Sequence, residues 1–199
     1  MFVLPWGTQL NVTLIRTTAE RVAGMAPESL VELLLEQMLY RTGRRAAPAE
    51  QTSWKRSLPI LAADLVDAGL GDVEMLVEYH LPLTSQRADV VLAGTHPKTG
   101  EASYVVVELK QWSAAYAFEG DPEILHVPGV PGGPRLHLVI QVRGYCEYNS
   151  RFTGQPCIAL FTPATTAMPR RPALSLPLAN PGLAIRIATA AQRLGQLTI

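Results

Sequence analysis

Only two cysteines, Cys146 and Cys157, occur in 199 residues. They are too few for a disulfide scaffold and lack the spacing of a zinc site. Both are read as reduced, mostly buried thiols, because free cysteine packs as a small hydrophobe. An excess of either charge is missing too. Seventeen Lys and Arg balance seventeen Asp and Glu, so no global field advertises a polyanionic partner and any footprint for nucleic acid must be local. Four histidines, His80, His96, His126 and His137, lack the spacing of a ligand pair and are read as loop or surface residues. The opening MFVLPWGTQLNVTLIRTT has neither a basic stretch leading into a long apolar one nor a small-residue cleavage site, and no later run reaches the length of a membrane span. A cytoplasmic protein with no membrane partner is expected. Internal repeats at solenoid or propeller spacing are also missing.

What is present suffices for one ordinary domain. With 48% hydrophobic residues the chain can build a real core, which excludes intrinsic disorder. In PESLVELLLEQMLYRTG, Leu30, Val31, Leu34, Leu35, Met38 and Leu39 recur at helical spacing between Pro27 and Gly43, which suit a first turn and a stop. A second helix, from about Glu50 to Ala68, aligns Glu50, Trp54, Leu58, Leu61 and Leu65; Pro59 predicts a kink or a fresh start near Ser57. EMLVEYHLPL, RADVVLAG and SYVVVELKQW read as three strands with short links, hence a meander. The proline- and glycine-rich stretch from Phe118 to His137 predicts a long surface loop with a short strand at Glu123 to Val127. LVIQVRGYCEYNSRF reads as a helix with Val139, Val142 and Cys146 on one stripe, and QPCIALFTP as a further strand. The last part is Pro-rich and then weakly helical.

One apolar strand, Tyr104-Val105-Val106-Val107, runs straight into Glu108-Leu109-Lys110, and Asp89 interrupts the apolar run before it. Carboxylates in such a place need a partner, a bound ion or water. Alternation sets Glu108 and Lys110 on one face and Asp89 opposite to Ala88 and Val90. If the two strands pair as a hairpin, Asp89 and Glu108 meet beside an ammonium. That cluster suits Mg²⁺, with Mn²⁺ as substitute, because Mg²⁺ takes one or two protein carboxylates plus waters and substrate phosphate. The ion would polarise a scissile phosphate and generate hydroxide near neutral pH. Lys110 would either steady the developing charge or position the attacking water.

This constellation resembles the PD-(D/E)XK nuclease superfamily, whose signature is an acidic residue on one strand and E-x-K on the next. Ala88 stands where the signature has proline. QVRGY, Gln141 to Tyr145, is similar to the Q-x-x-x-Y element of the RecB-like branch, and its two polar residues share a helix face at i, i+4. Gln141 and Tyr145 would hydrogen-bond phosphate or orient the E-x-K carboxylate. SWKRSLPILAADLVDAGL, VEYHLPLTSQRADVVLAG, VVVELKQW and QVRGYCEY together resemble, over about Glu50 to Phe161, the nuclease-like N-terminal domain of Schlafen group 3-type DNA/RNA helicase proteins. Those relatives continue into a P-loop motor, and this chain has no G-x-x-x-x-G-K-[ST]. A lone or an excised module is expected.

The resemblance implies a restriction-endonuclease-like α/β fold, a mixed central sheet flanked by helices, as one domain over 1–199 with its core at about 27–162 and a Pro-rich extension at about 163–199. It implies a Mg²⁺-dependent nuclease acting on nucleic acid, DNA ahead of RNA, working with a helicase in phage defence or repair. Asp89, Glu108, Lys110, Gln141 and Tyr145 would be the catalytic set, with Asp89 and Glu108 on the metal and Glu50 adding a carboxylate from the preceding helix. Plainer readings compete. Glu108 and Lys110 make an ordinary strand-end pair, Asp89 a surface salt bridge with Arg87, Tyr145 a core aromatic, and Glu50, Glu32 and Glu36 a solvated helix surface. Arg44, Arg45, Lys55, Arg56, Arg143 and Arg151 are the cations placed to flank a cleft, Arg143 equally an i, i+4 partner of Glu147. Two other functions fit the same residues: an inactive nucleic-acid-binding module serving a helicase, and an assembly domain without nucleic-acid contact.

Overall fold

A computed structural model describes residues 13–95, 100, 102–110, 115–154 and 157–163. His96 and the segment from 164 onward, with the Pro-rich extension, lie outside the described residues. The elements run β1 (Ile15–Thr18), α1 (Ala19–Ala23), α2 (Pro27–Thr42), α3 (Pro48–Asp67), β2 (Glu74–His80), β3 (Arg87–Thr95), β4 (Ala102–Lys110), β5 (Tyr116–Phe118), β6 (Asp121–His126), β7 (Arg135–Leu136), α4 (Leu138–Thr153) and β8 (Cys157–Pro163). Five strands form a mixed sheet in the order β1-β2-β3-β4-β8. Its first four strands are antiparallel neighbours, and β8 lies parallel to β4. A parallel neighbour demands a crossover, which the chain makes through the small sheet β5-β6-β7 and α4.

Helix α2 forms where the apolar spacing predicts it. Pro27 opens it, and Gly43 closes it at φ +67°, donating its N–H to the Leu39 carbonyl at 2.9 Å. Leu30, Leu34 and Met38 are its buried stripe, whereas Leu39 is 46% exposed. Helix α3 runs through Pro59 as one element, so the expected fresh start near Ser57 is absent. Burial of Trp54, Leu58, Leu61, Ala62 and Leu65 on both sides of the proline outweighs the roughly 3 kcal/mol that an interior proline costs.

Two apolar clusters sandwich the sheet. Residues of α1, α2 and α3 pack with Met75, Val77, Val90, Leu92, Val107 and Leu109. On the other face Val142, Tyr145 and Cys146 of α4 pack with Leu76, Tyr79, Ala88, Val91 and Val106. Two features went unpredicted. Strand β1 and helix α1 precede the first expected element and contribute Ile15, Ala19 and Val22 to the core. The stretch from Phe118 to His137 contains the short strand expected at Glu123 to Val127, as β6, but β5 and β7 pair with it on either side to make a three-stranded sheet where a loop was expected, with Leu125 and Val127 buried. No helix among the described residues is long and apolar enough to cross a membrane.

Leu61, 1% exposed, sits where α3 presses on the sheet. Leu61→Ala is expected to destabilise the fold by about 2–5 kcal/mol, and Leu39→Ala by no more than about 0.5 kcal/mol. Chemical denaturation midpoints at constant m check the pair.

Candidate active site

The β3–β4 register pairs Val90 with Val107. One further step sets Asp89 opposite Glu108. There the backbone ladder stops, and Asp89 Oδ2 accepts the Leu109 N–H at 2.6 Å in its place. Glu108 is 3% exposed. Its Oε1 accepts from Lys110 Nζ at 2.5 Å and from Gln141 Nε2 at 2.7 Å. The same Gln141 nitrogen donates its other hydrogen to the Tyr145 hydroxyl at 3.0 Å. Among the described residues Glu108 Oε2, which is buried, has no hydrogen-bond partner. Thus five of the six residues singled out from the sequence, Asp89, Glu108, Lys110, Gln141 and Tyr145, converge at one end of the central strands.

Electrostatics match this geometry. Burial, followed by the charge of Glu108, pushes the Asp89 carboxyl up to about 6, against the opposing Leu109 N–H and the cations Lys110 and Arg87. Burial also raises the Tyr145 hydroxyl above its ordinary value, while the Gln141 hydrogen bond pulls it back.

The sixth residue goes elsewhere. Glu50, in the first turn of α3, takes a hydrogen bond from Arg87 Nη2. Arg87 Nε stands 2.5 Å from Glu78 Oε2, a charge contact outside hydrogen-bond angles, so that oxygen too is buried without a hydrogen-bond partner. Trp54 Nε1 donates to Glu78 Oε1 at 2.5 Å. Arg87 therefore pairs with Glu50 and Glu78, not with Asp89 as the plain salt-bridge reading had it. Lys55 pairs with Glu28 at 2.8 Å. Glu78, Arg87 and Trp54 were not picked out from the sequence. The available signal was a lone carboxylate inside the apolar strand EMLVEYH, at a position that the hairpin to β3 sets opposite Asp89.

Simple alternation fails at this point, contrary to the sequence reading. Ala88 packs with α4 while Val90 packs with α2 and α3, so Asp89 does not have both neighbours on the face opposite to its own. On β2, Leu76 and Tyr79 face α4, yet Glu78 reaches Trp54 on α3. The cause is local. Glu78 has φ +56°, a left-handed conformation rare for a residue with a side chain, and the ladder pairs Val77 with Val90 and Tyr79 with Ala88 but skips Glu78 and Asp89.

Among the described residues no group of three or more His, Cys, Asp or Glu side chains is placed to hold a metal ion. The donor set is the Asp89 and Glu108 pair. It fits a hard divalent cation, because Glu108 Oε2 is a buried acceptor that lacks a donor among the described residues and because the Glu108 charge opposes ionisation of Asp89, which a cation would relieve.

Burial moves the Glu78 carboxyl from an ordinary 4.5 to about 7, outweighing the Arg87 charge and the Trp54 hydrogen bond. The folded chain therefore holds this proton more tightly than the unfolded one, and stability falls as pH rises through that window. The fall attributable to Glu78 is expected to reach about 3 kcal/mol between about pH 5 and pH 8. Denaturation across that range should show it as the difference between wild type and Glu78→Gln, the variant keeping only the smaller fall that the raised Asp89 carboxyl contributes.

Comparison of the chain with protein-family models, with curated proteins and with solved structures finds no match in any of the three, so the chemistry of the cluster itself carries the functional conclusion.

Proposed function

We propose that this domain is a metal-dependent nuclease with a restriction-endonuclease-like core, hydrolysing phosphodiester bonds in nucleic acid, with DNA the expected substrate. The observation that carries this reading is the buried, unpartnered Oε2 of Glu108 beside Asp89, with Lys110 and Gln141 both engaged on the other oxygen. A carboxylate bound on one side by an ammonium and an amide is held in a fixed orientation and offers its second oxygen. Asp89, fixed through the Leu109 N–H, offers the companion group. Mg²⁺ or Mn²⁺ there would polarise the phosphate and lower the pKa of bound water.

The chain's own residues do the rest. Asp89 and Glu108 would hold the ion, and Lys110, whose Nζ donates to Glu108 Oε1, would stabilise charge developing on the phosphate. Gln141 keeps Glu108 in its rotamer, and Tyr145 accepts the other hydrogen of the same amide. A helicase partner in defence or repair is what the Schlafen-like resemblance implies, and cytoplasmic placement is what the opening residues suggest.

A second reading, a nucleic-acid-binding module without turnover, is favoured by one observation: the described residues supply two carboxylates rather than three or more metal-ligating side chains. Such a module would bind with steep salt dependence and ignore divalent ions.

With Mg²⁺, purified protein is expected to nick or degrade DNA, and EDTA to abolish this. Glu108→Ala should remove activity, and Lys110→Ala should lower it by about 10²–10³-fold with the circular dichroism spectrum unchanged. Salt-dependent binding without any Mg²⁺-dependent cleavage supports the second reading. Equal cleavage by wild type and both variants would expose a contaminating nuclease and defeat the first.

A further inference from the structure

Residues Glu78, Asp89 and Glu108 occupy one row across three neighbouring strands. The register of β2 with β3 sets residue 78 against 89, and that of β3 with β4 sets 89 against 108. Regular alternation would bring all three to the α4 face, because Leu76, Val91 and Val106 lie there, each two residues from its carboxylate. Three buried carboxylates side by side repel strongly. The structure avoids this by turning Glu78 through the sheet to the α3 face, at φ +56°. Trp54 and Arg87 receive it there, and Arg87 in turn is tied to Glu50 of α3.

The turn has an effect on β3. With Glu78 reversed, the ladder opens between Val77–Val90 and Tyr79–Ala88, and Ala88 joins Tyr79 on the α4 face. Ala88 thereby deviates from alternation, and next to it the Asp89 carboxylate reaches the Leu109 N–H at the end of the β3–β4 ladder. Backbone held in a sparsely populated region persists only where its surroundings impose it. Trp54, Arg87 and Glu50 are those surroundings.

We infer that Glu78 is a positioning residue for the proposed site: its left-handed backbone, clamped from the α3 face by Trp54 and Arg87, holds the β2–β3 ladder open so that Asp89 is aimed at Leu109 N–H and Glu108. This rests on the nuclease reading for its catalytic consequence, whereas its structural core concerns Asp89 alone. The backbone is the agent and the carboxylate its tether. A residue that tolerates positive φ therefore preserves the aim of Asp89, and a β-branched one destroys it.

The test compares Glu78→Gly with Glu78→Val in the full chain without metal, following hydrogen exchange of the Leu109 amide by NMR. Asp89→Ala serves as the reference for loss of that bond. Glu78→Gly is expected to keep Leu109 protection near wild type, and Glu78→Val to lose about tenfold, as Asp89→Ala does. Wild-type protection in Glu78→Val overturns the inference, and so does equal loss in the glycine and valine variants. Should valine prevent folding, Glu78→Ala replaces it, and protection must then fall below that of glycine or the inference fails. In cleavage assays Glu78→Val, or Glu78→Ala in its place, should lower kcat by about 10²-fold with KM near wild type, and Glu78→Gly should restore most of it. A wild-type protein without Mg²⁺-dependent cleavage defeats the nuclease reading and leaves the amide exchange result standing by itself.

Discussion

The constraint on which this end of the molecule depends is the burial of carboxylates in a sheet that has few cations to offset them. Each acid has its own device. Glu108 gives one oxygen to an ammonium and an amide and leaves the other bare. Asp89 takes over a backbone N–H that the ladder has relinquished. Glu78 leaves the row by a reversal of its backbone and finds an indole and a guanidinium on the far side. Leaving any of them uncompensated would be costly, which is why the surrounding apolar packing has to be rigid.

That rigidity comes from two unlike layers. Helices α2 and α3 supply aliphatic bulk against Val77, Val90 and Val107, and α3 also delivers Trp54 and Glu50 to the charged corner. Helix α4 has a double task. Its apolar residues Val142 and Cys146 press on Val91 and Val106, and one turn of the same helix carries Gln141 and Tyr145 to Glu108. The polar contacts thus inherit their precision from the packing beneath them.

Much of this was legible in the sequence, for identifiable reasons. Helix α2 could be read because its apolar residues repeat at 3.6 spacing between a proline and a glycine, and β2 to β4 because their runs are apolar and their links short. Asp89, Glu108 and Lys110 could be gathered because an E-x-K strand end and an acid on the neighbouring strand meet when the two pair, and Gln141 and Tyr145 joined them through the resemblance of QVRGY to Q-x-x-x-Y, their i, i+4 spacing placing both on one helix face. Glu78 escaped because that inference assumes alternation, and a positive φ at a residue that is not glycine leaves no trace in residue type. Arg87 looked like a neighbour for Asp89 because sequence proximity hides the turn of a strand. Helix α3 survived Pro59 through tertiary burial, which local propensity does not contain, and β5 and β7, unlike β6, were concealed by the surrounding glycines and prolines.

The small sheet β5-β6-β7 separates Lys110, at the end of β4, from Gln141, in the first turn of α4. Two residues that meet on one carboxylate oxygen are thus thirty-one positions apart along the chain, joined by an excursion with pairing of its own. Closing a longer excursion would add only about 0.6 kcal/mol for each doubling of its length. The fold therefore contains a built-in insertion point, where material can be gained or lost next to the chemistry while the two halves of the grip on Glu108 keep their spacing.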